Sequence, residues 1–170
     1  MEKYDLYDNN RLPLGKSLTR GEDPAHGENR MVVHLCIFNS KGEMLIQQRV
    51  ASKKLFPSLW DITLGGCAIS NETSVMAVRR EMKEEIGIDH DFSNSRPYFT
   101  INFNRGFDDW YIMHKDIDIS TLTLQESEVV CVKWASLDEI LALLKDNKFI
   151  PYKPSFISAL FDFKDGRGLY

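Results

Sequence analysis

Apolar and β-branched residues form several short runs along the chain, and turn-forming residues separate them. Residues 31–38 make a nearly continuous apolar run, and Asn-Ser-Lys-Gly at 39–42 turns it into a second run over 43–48. This arrangement predicts a β-hairpin. Weaker strand patterns occupy the ranges 3–7, 60–64, 98–104, 110–114 and 129–135. We therefore expect a β-sheet built from strands along most of the chain.

Other segments carry helix signals. The first follows a glycine-rich turn at Gly65 and Gly66, begins after residue 72 and ends near Gly87. It predicts an amphipathic helix of about 14 residues. The second opens at the capping box Ser136-Leu-Asp-Glu139, and a last helix is expected over 154–163. Strands on both sides of a central helix, with further helices toward the C-terminus, predict an α+β fold. We expect an α/β/α sandwich with a mixed β-sheet between helices.

The segment that leads to Gly27 is rich in glycine, proline and asparagine, and it predicts a loop. This loop carries Arg11, Lys16 and Arg20, and it is either a lid or a simple connection. Internal repeats and flexible linkers are missing from the sequence. We therefore expect one domain over 1–170, in which 1–30 is an N-terminal strand and loop extension.

The composition is that of an ordinary globular domain with one core: 170 residues, 43% hydrophobic, with a net charge of −4. A mildly acidic chain offers no footprint for nucleic acid or an anionic membrane, and no apolar run reaches the ~18 residues of a membrane span. The three cysteines lack C-x-x-C spacing, which favours reduced thiols in the cytoplasm. A small phosphorylated metabolite remains a suitable partner, because a metal ion can set the charge of one cleft.

Three glutamates crowd one turn of the first predicted helix. Glu81, Glu84 and Glu85 stand at i, i+3 and i+4, so their like charges repel on one face. A hard divalent cation such as Mg²⁺ or Mn²⁺ takes oxygen ligands and would neutralise that repulsion. Arg80 precedes Glu84 by four residues, close enough to orient a carboxylate by hydrogen bonding. The cluster therefore predicts a metal site.

The segment 66–88 resembles the complete Nudix box, G-x5-E-x7-R-E-U-x-E-E-x-G-U, in which U is a bulky apolar residue. The fixed positions are held by Gly66, Glu72, Arg80, Glu81, Glu84, Glu85 and Gly87, and the apolar ones by Met82 and Ile88. The resemblance implies a mixed sheet between helices and the hydrolysis of a diphosphate linkage in a nucleoside diphosphate derivative. It also implies one or more Mg²⁺ or Mn²⁺ ions.

The resemblance assigns roles within the box. Glu81 and Glu85 are the strongest candidates for metal ligands, Glu84 either binds metal or positions water, and Gly66 is grouped with the metal-binding positions. Arg80 would orient the carboxylates. Glu72 would support the loop that precedes the helix. Many family members are dimers, so a homodimer is one option, although no residue pattern demands it.

Residues outside the box could complete the site. The family does not fix its general base in one place, so Asp108, Asp109, Glu126 and Glu128 are all candidates. Asp108 and Asp109 are better explained as turn residues before a strand, whereas the sequence does not decide for the two glutamates. Lys53 and Lys54 are candidates for phosphate contacts, against the alternative of ordinary surface lysines.

A second resemblance covers the stretch from Phe38 to Ala68, which is similar to type I isopentenyl diphosphate isomerases. Aligned without gaps, Gly65 stands where those enzymes have a catalytic cysteine, and Cys67 stands where they have a metal-binding histidine. Those isomerases also depart from the full box, which this chain keeps. Hydrolysis is therefore the favoured activity. The alternatives are an isomerase-like reaction and a catalytically idle domain that binds a ligand.

Overall fold

The structure is a computed structural model that describes residues 1–166, so the last four residues of the predicted domain range 1–170 lie outside it. The described residues form nine strands: β1 (Lys3–Tyr7), β2 (Pro13–Thr19), β3 (Arg30–Phe38), β4 (Met44–Arg49), β5 (Trp60–Asp61), β6 (Leu64–Cys67), β7 (Phe99–Phe103), β8 (Gly106–His114) and β9 (Val129–Ala135). They also form three α-helices: α1 (Ser74–Ile86), α2 (Leu137–Lys145) and α3 (Pro154–Phe163).

The strands assemble into two sheets. Strands β1 and β2 pair with each other, while a seven-stranded sheet has the order β5-β4-β3-β8-β7, with β6 paired to β3 and β9 paired to β4. Together with the three helices of the described residues, these sheets give the predicted α+β class, which is confirmed. The predicted hairpin is also confirmed, because β3 and β4 pair antiparallel through Phe38 and Met44. Gly42 adopts a φ of 76° in the turn between them, a conformation that favours glycine.

The chain divides into two compact units. One comprises Met1–His34, Gly65–Glu81 and Asp89–Tyr111, and its core includes Leu6, Val33, Val78 and Trp110. The other comprises Leu35–Leu64, Met82–Ile88 and the chain from Ile112 onward, and its core includes Leu45, Ile46, Met82, Ile140, Ile157 and Leu160. The single domain over 1–170 stays a prediction.

Three local expectations were wrong. Strand β2 lies in the segment predicted to be a loop; it pairs with β1 but is largely exposed, so it lacks an alternating apolar pattern. Gly65 and Gly66 lie in strand β6 and not in a turn, where their missing side chains allow close approach by other groups. Strand β8 begins at Gly106, so Asp108 and Asp109 are strand residues that pair with β7.

The Thr63 side chain forms hydrogen bonds with two backbone groups inside the second unit. Its buried hydroxyl donates to the Leu45 carbonyl at 2.6 Å and accepts from the Ile37 amide at 2.9 Å. Thr63→Val would leave both backbone groups without this partner in the core. We expect the free energy of unfolding to fall by about 1–3 kcal/mol, measured by urea denaturation.

Thr63→Ser, which keeps the hydroxyl, should restore most of that stability. Thr19→Val in β2 is the matched control, because it makes the same chemical change on a partly exposed strand. Equal stability of the Thr63→Val and Thr19→Val proteins would contradict this role for the hydroxyl.

Candidate active site

Arg80 is the centre of a polar network in the first unit. Its Nε donates to Glu72 Oε1 at 2.7 Å and its Nη2 donates to Glu72 Oε2 at 3.0 Å, which is a bidentate contact. Its Nη1 donates to Glu81 Oε1 at 2.9 Å, and Nη2 also reaches the Cys67 carbonyl at 3.0 Å. Burial acts to lower the pKa of Arg80, but the hydrogen bonds and charges of the two glutamates raise it far above its ordinary value. Arg80 is thus a permanent cation that fixes two box carboxylates.

Glu72 ties the loop before α1 to this network. While one face of its carboxylate meets Arg80, its Oε2 also accepts from the Ile69 amide at 2.9 Å. The next backbone amides donate to the N-terminal strand: Ser70 N to the Lys3 carbonyl and Asn71 N to Asp5 Oδ2, each at 2.8 Å. The loop is therefore held at several points. The helix itself is capped by Thr73, whose Oγ1 accepts from the Met76 amide, the third of α1, at 3.3 Å.

Gly66 makes room for the Glu81 carboxylate. A Cβ atom built on Gly66 would overlap the carboxylate carbon and oxygens of Glu81. The carboxylate therefore lies directly against the backbone of β6, which a side chain at position 66 would prevent. This contact explains the glycine of the box by space alone, since Gly66 is not among the glycines with a positive φ.

Glu85 is held by a residue that the sequence did not suggest. The Gln47 amide on β4 donates from Nε2 to Glu85 Oε2 at 2.8 Å, and the two residues are only 3% and 6% exposed. The Glu85 carbonyl accepts from the Gln125 amide at 3.1 Å. Gln47 Oε1 is buried and has no hydrogen-bond partner within residues 1–166. The available signal was a glutamine that directly follows the three apolar residues at the start of β4.

The three glutamates lie on one turn of a continuous helix but differ in exposure: Glu81 is half-buried, Glu84 exposed and Glu85 buried. Across residues 1–166, no group of at least three His, Cys, Asp or Glu side chains is arranged to hold a metal ion. Glu81 faces Arg80, and Glu85 faces Gln47. The donor chemistry nevertheless fits a hard divalent cation, because carboxylate oxygens of the box lie beside bare glycine backbone.

Of the four candidates outside the box and outside β8, two form an ion pair with each other and two are exposed. Lys53 and Glu128 form an ion pair in the second unit, and the Glu128 carbonyl accepts from the Val50 amide at 3.1 Å. Lys54 and Glu126 are exposed. The structure thus pairs one phosphate-contact candidate with one general-base candidate.

The two aspartates of β8 each have a specific partner in the first unit. Asp109 is 1% exposed and accepts both Arg11 Nη1 at 3.0 Å and Arg11 Nη2 at 2.8 Å, together with the Thr100 hydroxyl. Burial acts to raise the pKa of Asp109, but hydrogen bonds from Arg11 and Thr100 hold it below its ordinary value. Asp108 instead meets His34, with 2.5 Å between Oδ1 and Nδ1. The segment around Arg11 is therefore attached to the sheet.

Comparison with known proteins identifies the class of this fold and site. The sequence model of the NUDIX domain family matches residues 28–156. A Nudix hydrolase of Listeria innocua is 42% identical over 170 residues, which covers 100% of this chain and 99% of its own length. A Nudix hydrolase of Listeria monocytogenes has the same identity and coverage. The crystal structure of a Deinococcus radiodurans protein gives a TM-score of 0.72 over 94% of this chain and 97% of its own, at 24% identity, which shows the fold alone.

The chain therefore belongs to the NUDIX domain family. The predicted resemblance to that superfamily is confirmed, and the chain is an enzyme of the pyrophosphohydrolase type. Members of the family act on small phosphorylated substrates and generally use divalent metal ions. The closer likeness to the isomerase subgroup stays a prediction. Within residues 1–166, no helix is both long and apolar enough to cross a bilayer.

Proposed function

We propose that this protein hydrolyses a diphosphate linkage in a nucleoside diphosphate derivative or a related small metabolite, with Mg²⁺ or Mn²⁺ as its cofactor. The observation that carries the proposal is the Arg80 network, in which a half-buried cation holds Glu72 and Glu81, and the Glu81 carboxylate lies against glycine backbone. Such a network orients metal-binding carboxylates more than it stabilises a fold. Glu81, Glu84 and Glu85, with the backbone at Gly66, would hold the cation.

The residues of the chain divide the work. Arg80 and Gln47 fix the directions of the Glu81 and Glu85 carboxylates. The two glutamate side chains would therefore lose little conformational entropy when the metal binds. Glu84, which is exposed on the same turn, would bind the metal or position a water molecule. The divalent cation that these carboxylates would hold would supply positive charge at the phosphate and a water of lowered pKa.

An isomerase-like reaction receives less support. The position of the isomerase cysteine is Gly65, and the His34 ring lies where a side chain at that position would extend. A proton transfer to carbon therefore lacks its acid at this position. The other alternative, a catalytically idle binding domain, is opposed by the complete set of box carboxylates.

Metal removal provides the direct test. Cleavage of the diphosphate linkage is followed by ³¹P NMR with a panel of nucleotide sugars, dinucleotides, ADP-ribose, coenzyme A, oxidised nucleotides and prenyl diphosphates. We expect turnover of one substrate class with Mg²⁺ or Mn²⁺, a loss of at least about 100-fold in EDTA, and recovery when the metal is restored. A Glu81→Gln protein purified in parallel controls for contaminating phosphatases.

Cleavage of the diphosphate linkage that is insensitive to both EDTA and Glu81→Gln would refute the metal-dependent site. Binding without turnover of any panel member would favour the idle domain, and isotope exchange into isopentenyl diphosphate would favour the isomerase.

We further propose that residues 1–170 form one domain that carries this site, and that the protein acts in the cytoplasm. The reduced thiols of Cys67 and Cys131 agree with a reducing compartment. A homodimer stays a prediction.

A further inference from the structure

One face of the central strand β3 is only half covered. Met31, Val33 and Leu35 are buried, whereas the alternate residues Arg30 and His34 remain partly exposed, and beyond His34 both faces are buried. Strand β3 lies between β4 and β8 in the sheet order. A central strand with a polar, partly open face is the kind of place where a fold admits a ligand.

His34 is held in one orientation on this face. Its Nδ1 lies 2.5 Å from Asp108 Oδ1, and the two side chains are 17% and 16% exposed. Its ring stacks on buried Trp110, with 4.3 Å between centroids and 16° between planes. When the ring is doubly protonated, Nδ1 donates to Asp108 and Nε2 can donate to an incoming acceptor. The ring is therefore pre-positioned with one nitrogen left for a ligand.

Strand β6 lets the ring lie over bare backbone. A Cβ atom on Gly65 would overlap His34 Cδ2, and its position is 2.7 Å from His34 Nε2. The next residue, Gly66, accommodates the Glu81 carboxylate in the same way. Because successive strand residues point to opposite faces, His34 and Glu81 lie on the two sides of one short glycine segment. The His34 ring therefore adjoins the box through two consecutive glycines.

A second cation shares the face. Arg30 stands four residues before His34, so both side chains project from the same side of β3. The Arg30 guanidinium lies 5.9 Å from the centre of the Phe103 ring, and its buried Nε has no hydrogen-bond partner within residues 1–166. Burial raises the pKa of Cys67 on β6, and the positive charge of Arg30 acts against this rise. Arg30 therefore places an available donor and a charge beside β6.

We propose that His34, oriented by Asp108, and Arg30 form a subsite that binds a phosphate group of the substrate through the His34 Nε2–H and the Arg30 guanidinium. The subsite deepens the proposed function, on which it rests for the nature of the substrate. Two donors on a partly dehydrated sheet face suit a multivalent anion, because charge-assisted hydrogen bonds strengthen where water is reduced. Asp108 is a positioning residue in this arrangement.

The test uses inorganic pyrophosphate in EDTA, so that binding is measured without the metal and without hydrolysis. Calorimetry gives the dissociation constant, and side-chain ¹⁵N resonances of the histidines report the contact directly. We expect pyrophosphate to shift the resonances of His34 and to leave those of exposed His26 unchanged. His34→Phe, which retains the stacking on Trp110, and Arg30→Met should each weaken binding by about 10-fold. His26→Phe is the matched control from the same unit.

Unmoved His34 resonances at saturating pyrophosphate, or no binding at millimolar concentration, would overturn the subsite. Should His34→Phe fail to fold, Asp108→Asn and the wild-type resonances still decide the question. Asp108→Asn should weaken pyrophosphate binding. Its thermal unfolding midpoint is compared with that of the His26→Phe control, so that a loss of binding is separated from a loss of fold. Metal-dependent hydrolysis with pyrophosphate binding that is insensitive to His34→Phe would remove this inference alone. Pyrophosphate binding at His34 without any hydrolysis would remove the proposed function and keep the subsite.

Discussion

Replacement of Glu85 by glutamine is expected to reduce hydrolysis by more than about 100-fold, because partners behind a metal ligand already contribute 10- to 100-fold. Glutamine has nearly the same shape, and its carbonyl can still accept the Gln47 amide hydrogen bond. The change therefore removes one charge from a buried position and little else. Turnover of the substrate found in the panel is measured together with Mn²⁺ affinity by electron paramagnetic resonance.

The fold should survive this substitution, and its thermal unfolding midpoint should stay at or above the wild-type value, because a buried carboxylate is costly to desolvate. Asp162→Asn, which changes an exposed carboxylate on α3, controls for the loss of one negative charge. Wild-type turnover and Mn²⁺ affinity in the Glu85→Gln protein would show that Glu85 does not bind the metal.

Gly66→Ala is expected to lower activity by about 10- to 100-fold although it adds only one methyl group. The new Cβ would occupy the place of the Glu81 carboxylate, which would have to move away from β6 and from its contact with Arg80. The displaced group is the end of a flexible side chain, so the loss should fall on kcat and metal affinity more than on stability. Steady-state kinetics and Mn²⁺ titration measure the two effects.

Gly166→Ala is the matched control, because a Cβ there meets no atom within 4 Å. Full activity in both alanine variants would mean that the Glu81 carboxylate does not need its place against β6. A drop in unfolding midpoint large enough to account for the lost activity would instead assign Gly66 to the fold.

The sequence predicted those elements whose determinants are local. The β3–β4 hairpin follows from two apolar runs around one turn, and the capping box at Ser136 and Glu139 forms both of its reciprocal hydrogen bonds. Strand β2 was not predicted, because it is exposed and owes its conformation to pairing with β1. Alternation of apolar and polar residues reports burial on one face, so it is silent about a strand that buries neither face.

The site shows the same division between local and distant contacts. The spacing within the box gathers the three glutamates onto one helical turn, which a helix imposes by geometry. The contacts that orient them come from elsewhere: Gln47 is 38 positions from Glu85, and Arg11 is 98 positions from Asp109. No short pattern encodes such pairs, and the turn expected at Asp108 and Asp109 was wrong for this reason.

Strand β1 supplies two of the hydrogen-bond acceptors that hold the box loop in place. The family match begins at residue 28, yet the backbone amides of Ser70 and Asn71 donate to Lys3 and Asp5, which lie before it. Part of the box loop is thus held by acceptors that lie outside the range matched by the family's sequence model. A relative with the same box but a different beginning must satisfy those two amides in another way, so box identity alone does not guarantee an identical loop.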